Sequence, residues 1–174
     1  MFQASLQHWI KIYRKPYLTF HTLNYIILFY PTFFDFQKRL LTILKHIHVT
    51  CAIIEHNGLV LAAQRSATMS LPLKWEFPGG KIEPGETAEG CLKRELAEEL
   101  DADADIGINL PQSTHTYPTF TITLYPFVCS INSSKLVLKE HHAIKWLLPI
   151  ELGLLDWAEA DLPVLESYLG YLRG

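Results

Sequence analysis

The chain has 174 residues, 49% of them hydrophobic and 19% charged, and its 15 basic and 18 acidic residues give a net charge of -3. This length suits one domain with a sizeable core and an appended segment. The charge balance argues against the basic surface of a protein that binds long nucleic acid, but it allows a nucleotide whose phosphates are neutralised by a bound cation.

The N-terminal part differs in composition from the rest of the chain. Residues 16–34 contain no Asp, Glu, Lys or Arg and are rich in aromatic and aliphatic side chains. Their number approaches that of a membrane span, but His21, Asn24 and Pro31 disfavour a spanning helix. We therefore expect residues 1–44 to form a poorly ordered apolar extension, with membrane association as the less favoured alternative, and residues 45–174 to form the folded domain.

After residue 44 the pattern becomes that of a globular domain. Apolar residues alternate from Ile47 to Ile53, and the turn sequence Asn57-Gly58 separates them from a second apolar run at residues 59–63, which predicts a β-hairpin. A loop is predicted at residues 66–74 and a turn at residues 78–80. Apolar residues at 88, 91, 92 and 96 predict an amphipathic helix over residues 87–100, with Thr87 as its N-cap.

Further strands are predicted at residues 119–129, 135–139 and 143–147, and a final helix at residues 162–172 with Pro163 in its first turn. Strands and helices mix without regular βαβ alternation. The sequence therefore predicts an α/β fold in which a mixed sheet carries helices on both faces.

Three carboxylates recur on one side of the helix predicted over residues 87–100. Glu95, Glu98 and Glu99 lie three and four positions apart, so they share a helix face and repel one another unless a cation collects them. Such oxygen-rich clusters suit magnesium or manganese. Arg94 has the geometry to hold a carboxylate with two parallel hydrogen bonds, and Glu86 in the preceding loop is its natural partner.

The spacing of these residues resembles the Nudix box, G-x5-E-x7-R-E-U-x-E-E-x-G-U, where U is aliphatic. The matching positions are Gly80, Glu86, Arg94, Glu95, Glu98 and Glu99. The chain departs from the pattern at Asp101, which replaces a glycine that ends the helix. We interpret this change as structural, because aspartate tolerates turn conformations better than most residues.

From about residue 45 to residue 172 the sequence is similar to the MutT-like branch of the Nudix family, and residues 75–83 (WEFPGGKIE) resemble the approach to the box in that branch. The resemblance implies an α/β/α sandwich that hydrolyses a nucleoside triphosphate to the monophosphate and pyrophosphate. It implies catalytic roles for Arg94, Glu95 and Glu98. The metal site that it implies contains Gly80, Glu95, Glu98, Glu99 and Glu140.

The resemblance also implies three substrate contacts. Arg65 would bind the phosphates, Phe77 would lie beside the base, and Asp161 would meet the edge of the base. An ionised Asp161 only accepts hydrogen bonds and suits the amine of cytosine, whereas a protonated Asp161 suits both O6 and N7–H of 8-oxoguanine. A plain helix N-cap is the third interpretation of Asp161. His141 and His142 are expected to be loop residues without a chemical task.

The leading hypothesis is an 8-oxo-dGTP diphosphatase that removes oxidised guanine from the nucleotide pool, a function in DNA repair. The alternatives are a pyrophosphohydrolase of CTP, dCTP or modified cytidine triphosphates, and a non-catalytic domain that only binds a nucleotide. Loss of box carboxylates would mark the non-catalytic case, and none is lost. Cys51, Cys91 and Cys129 show no metal-binding spacing, so we expect reduced thiols in a cytoplasmic protein.

Overall fold

A computed structural model describes residues 45–133 and 135–174, and the expectations for residues 1–44 lie outside the described residues. The described part contains eight strands, a 3-10 helix (Pro149–Leu154) and two α-helices, α1 (Ala88–Leu100) and α2 (Leu162–Tyr171). The strands are β1 (His46–His56), β2 (Leu59–Gln64), β3 (Trp75–Glu76), β4 (Gly79–Lys81), β5 (Ala104–Asn109), β6 (Ser113–Thr116), β7 (Thr121–Ile131) and β8 (Ala143–Leu147).

The strands form one mixed sheet with the order β3-β2-β1-β7-β5, in which β8 also pairs with β2 and β6 with β7. Strands β1 and β7 run parallel, and the other pairs are antiparallel. One edge of β1 pairs with β7. The other edge pairs with two strands, with β2 at its C-terminal end and with β4 at Val49–Cys51. This division brings the glycines of β4 into the middle of the sheet.

Each face of the sheet is covered by one α-helix. Alternation along β1 directs Ala52 and Ile54 into a core with α1, and Cys51 and Ile53 into a core with α2. The leucines at 92, 96 and 100 in α1 are fully buried, and each such side chain contributes roughly 1.5–3 kcal/mol. The predicted α/β/α sandwich is confirmed.

Several predicted elements are confirmed with their local causes. Asn57 and Gly58 have φ values of 51° and 77°, as the tight turn between β1 and β2 requires. Thr87 caps α1 by accepting a hydrogen bond from the Gly90 amide at 3.1 Å. Asp101 ends α1 in the left-handed conformation, with φ 52° and ψ 35°, and so takes the part that the glycine of the Nudix pattern would take.

Other elements differ from the sequence-based prediction. Residues 135–139 are not a strand, because the Val137 and Lys139 amides donate to the Leu100 and Glu99 carbonyls at the C-terminal end of α1. The turn predicted at residues 78–80 includes two residues of strand β4, and β5 and β6 were not predicted. No helix in the described part of the chain is long and apolar enough to cross a membrane.

Candidate active site

Arg94 in α1 joins the loop before the helix to two of the helix glutamates. Its Nε and Nη2 donate to the two carboxylate oxygens of Glu86, both at 2.9 Å, in the predicted two-pronged geometry. Its Nη1 donates to Glu95 at 2.8 Å and to Glu98 at 3.3 Å. The Arg94 guanidinium lowers the pKa of Glu86 to about 2, so Glu86 remains ionised and keeps the loop attached to the helix.

Gly80 gives the Glu95 carboxylate the space that it occupies. A Cβ atom at position 80 would lie 2.0 Å from Cδ of Glu95 and 2.1 Å from one of its oxygens. Atoms in ordinary contact are about 3.5–4.0 Å apart, so only glycine fits here without displacing the carboxylate. The neighbouring Gly79 is similarly constrained, because a Cβ atom there would lie 2.0 Å from the carbonyl oxygen of Thr50 in β1.

Glu99 is the buried carboxylate of the helix cluster. Its side chain is buried, and among residues 45–133 and 135–174 its Oε2 has no hydrogen-bond partner. Its pKa is raised to about 7, chiefly by burial; the charge of His141 opposes this rise, and the charges of Glu95 and Glu140 add to it. A buried oxygen without a partner beside other carboxylates is suited to binding a hard divalent cation.

The exposed partners of this cluster are Glu98 and Glu140. Glu98 is 60% exposed and keeps only the longer contact to Arg94. Glu140 is exposed, and its charge acts on Glu99 across the gap between the two chain segments. Within the described ranges no three His, Cys, Asp or Glu side chains converge to hold a metal ion.

A cavity of about 360 Å³ opens beside the carboxylates and contains all three predicted substrate contacts. The cavity is lined by Arg65, Phe77, Gly80, Glu99, Tyr117, Phe120 and Asp161, among others. Its size is at the lower end of the range for small-molecule sites, about 300–1,000 Å³. Its lining contains both charged groups and aromatic rings, a combination that suits a ligand with phosphates and a flat ring.

Asp161 lines this cavity and is buried. Its Oδ1 accepts a hydrogen bond from the Phe77 amide at 3.0 Å, and its side chain makes no capping bond to α2. Asp161 therefore stands at the N-cap position of α2, but its side chain does not cap the helix. Burial raises the pKa of Asp161 to about 8 against the lowering effect of the Phe77 hydrogen bond, so the carboxyl is mostly protonated at neutral pH. The Phe77 ring packs against Trp157 with centroids 4.6 Å apart.

Arg65 also lines the cavity, and its side chain binds other protein groups. It forms a salt bridge with Glu76, and its Nε and Nη2 donate to the carbonyl and hydroxyl oxygens of Ser70 at 2.6 and 2.9 Å. On its other side Glu76 accepts from Nε2 of His141 at 3.0 Å. Burial lowers the pKa of His141, but this hydrogen bond and the charge of Glu99 raise it on balance.

Sequence reasoning missed two of these residues. His141 was expected to be an exposed loop residue, whereas its side chain is 1% exposed and paired with Glu76. Glu76 was noted only as one of residues 75–83, which resemble the approach to the box. The two residues are 65 positions apart, and no local pattern relates them. His142, by contrast, is exposed as expected.

Comparisons with known proteins show which family the chain resembles. The family model of the NUDIX domain matches residues 44–168. A CTP pyrophosphohydrolase of Escherichia coli K12 is 36% identical over 126 residues, which cover 72% of this chain and 93% of that protein. An 8-oxo-dGTP diphosphatase of Proteus vulgaris is 40% identical over 86 residues, which cover 48% of this chain and 76% of that protein. The solution structure of the E. coli ORF135 protein has a TM-score of 0.64 at 36% identity and covers 75% of this chain and 92% of that one.

Proposed function

Because this chain belongs to the Nudix family, we propose that it hydrolyses nucleoside triphosphates to the monophosphate and pyrophosphate, with 8-oxo-dGTP as its preferred substrate and magnesium or manganese as its cofactor. The observation that carries the reaction type is the carboxylate cluster of α1, of which Glu99 lines the cavity of about 360 Å³ together with Gly80. The proposal makes the protein a sanitising enzyme of the nucleotide pool. Its free, buried cysteines suit a reducing compartment such as the cytoplasm.

Glu95, Glu98 and Glu99, with the Gly80 carbonyl and Glu140, would hold the divalent cation. When bound, this cation neutralises the phosphates and lowers the pKa of a nearby water. The unpartnered Oε2 of Glu99 and the space at Gly80 support this assignment.

Among the carboxylates, Glu98 is the best placed to act as general base. It is exposed to solvent and only weakly held by Arg94, whereas Glu95 is fixed against Gly80. It would take a proton from the attacking water. The water oxygen then bonds to one phosphorus of the α–β bridge, and the bridging oxygen leaves with the other phosphorus. Arg94 would keep the remaining carboxylates in place during this step.

Asp161 supports 8-oxoguanine as the base. The Phe77 amide occupies Oδ1, which leaves Oδ2 for a ligand in the cavity. A protonated Oδ2 donates to O6 of 8-oxoguanine and still has lone pairs that accept from N7–H. Phe77 packs against Trp157 and would contact the flat face of the base.

CTP or another cytidine triphosphate is the second candidate substrate. It is favoured by the 36% identity to a CTP pyrophosphohydrolase. An ionised Asp161 would accept from the cytosine amine, so the protonation state of this carboxyl separates the two candidates.

Relative kcat/KM values for 8-oxo-dGTP, dGTP, CTP and dCTP at pH 7 test the substrate assignment. We expect 8-oxo-dGTP to exceed dGTP and both cytidine nucleotides by tenfold or more, since a matched buried polar contact gives large discrimination. A cytidine nucleotide with the highest kcat/KM would transfer the assignment to the second candidate.

A further inference from the structure

The segment between Lys139 and Ala143 contains one histidine that is buried and hydrogen-bonded, unlike an ordinary loop residue. His141 is buried, whereas its neighbour His142 is exposed. The side chain of His141 makes one hydrogen bond among the described residues, from Nε2 to Oε1 of Glu76 at 3.0 Å. Since a carboxylate only accepts hydrogen bonds, Nε2 carries the proton.

Glu76 connects His141 to Arg65, and both Glu76 and Arg65 line the cavity. Its second oxygen forms the salt bridge with Arg65, whose side chain is 16% exposed. Arg65 in turn holds both oxygens of Ser70. Met69, Ser70 and Leu71 belong to the loop at residues 66–74 and line the cavity. Hydrogen bonds and a salt bridge therefore connect the buried His141 through Glu76 and Arg65 to Ser70 in the loop.

The loop at residues 66–74 needs the contacts of Arg65 to keep its conformation. Leu71 and Leu73 have φ values of 53° and 62°, a conformation that bulky side chains rarely adopt. Each such residue costs free energy that the surrounding contacts must offset. Releasing Arg65 from Glu76 would weaken the hold on Ser70 and let the loop relax away from the cavity.

We propose that His141 is a positioning residue that orients Glu76, and through it Arg65 and the loop at residues 66–74, for nucleotide binding. This proposal rests on the proposed function and assigns His141 to substrate affinity. The side chain makes no hydrogen bond to the box carboxylates of α1 in the described structure, although the charge of Glu99 acts on it. Its loss is therefore expected to change KM far more than kcat.

Two amide substitutions separate positioning from mere packing. His141→Gln carries its amide nitrogen about as far from the backbone as Nε2 and keeps the bond to Glu76. His141→Asn carries the same group about as far as Nδ1 and loses that bond. Both remove the ring, so a purely structural role predicts similar defects in the two variants. His142→Ala is the matched control, because its side chain is exposed and its backbone bond to Gln64 is retained.

Steady-state kinetics with 8-oxo-dGTP and CTP, and tryptophan-fluorescence titration with the same nucleotides in EDTA, measure the effect with and without turnover. We expect His141→Asn and His141→Ala to raise KM and the metal-free Kd about tenfold, the usual weight of a hydrogen bond to a charged group. We expect His141→Gln and His142→Ala to stay within about twofold of the wild type, and kcat to change little in any variant. In a Glu76→Ala background, His141→Ala should add no further loss.

Equal KM values for the Gln and Asn variants would overturn the proposal, as would additive losses in the Glu76→Ala background. If the wild type binds nucleotides in EDTA but hydrolyses none with magnesium, the proposed function fails, while the Gln and Asn comparison of Kd still decides the role of His141. If the wild type hydrolyses them and the two amide variants do not differ, only the role of His141 fails.

Discussion

Replacing Gly80 by alanine tests whether the position of the Glu95 carboxylate controls the reaction. The added Cβ atom would meet Cδ of Glu95 at 2.0 Å and its two oxygens at 2.1 and 2.5 Å. Restoring a contact of about 3.5 Å requires the carboxylate to move by roughly 1.5 Å. This movement breaks the 2.8 Å bond between Glu95 and Arg94. A misplacement of about 1 Å near reacting groups can reduce the rate by about 10²-fold.

We therefore expect Gly80→Ala to lower kcat by about 10²-fold at saturating magnesium, while overpacking costs about 1–3 kcal/mol of stability. The measurements are steady-state kinetics and the melting temperature by circular dichroism. Gly153→Ala is the matched control, because a Cβ atom there meets nothing within 4 Å, and this variant should keep both activity and melting temperature. A folded Gly80→Ala enzyme with wild-type kcat would refute the argument that the glycine positions Glu95.

Three further substitutions test the remaining site residues. Glu98→Gln should lower kcat by about 10²-fold or more without changing the fold, and near-normal turnover would remove Glu98 as the base. Arg94→Ala should lower both melting temperature and activity, because Glu86 loses its partner; a loss of activity alone would make Arg94 a direct substrate contact. For Asp161, burial raises the folded pKa to about 8, so the unfolded chain releases this proton at lower pH than the folded chain does. The free energy of unfolding of the wild type should therefore fall relative to that of Asp161→Asn between pH 5 and about 8. The wild-type preference for 8-oxo-dGTP should fall above pH 8. Parallel pH profiles of the two proteins would contradict a buried, protonated Asp161.

Local sequence patterns predicted those elements whose cause is local. The Asn57-Gly58 turn, the Thr87 cap and the apolar spacing of α1 all depend on neighbouring residues. Residues 135–139 contain three consecutive apolar residues, which favour a strand, but the amides of Val137 and Lys139 bond to the C-terminal carbonyls of α1 because that helix end lies beside them. This outcome depends on tertiary contact and was not visible in the sequence.

The residues of the site also divide into those predicted from local sequence and those that depend on the fold. Glu86 and Arg94 were predicted as a pair from their spacing along one loop and helix. The burial of Asp161, and its bond to an amide 84 positions earlier, required the fold. The pairing of His141 with Glu76 likewise joins distant segments. The sequence alone therefore predicted an ordinary polar loop at residues 141–142.

The most direct test of the central claim is product analysis of 8-oxo-dGTP hydrolysis by ion-exchange chromatography, with magnesium and with EDTA. We expect 8-oxo-dGMP and pyrophosphate in equal amounts with magnesium, and no hydrolysis in EDTA. Release of inorganic phosphate with a nucleoside diphosphate, or equal turnover in EDTA, would contradict a metal-dependent pyrophosphohydrolase built on the glutamates of α1.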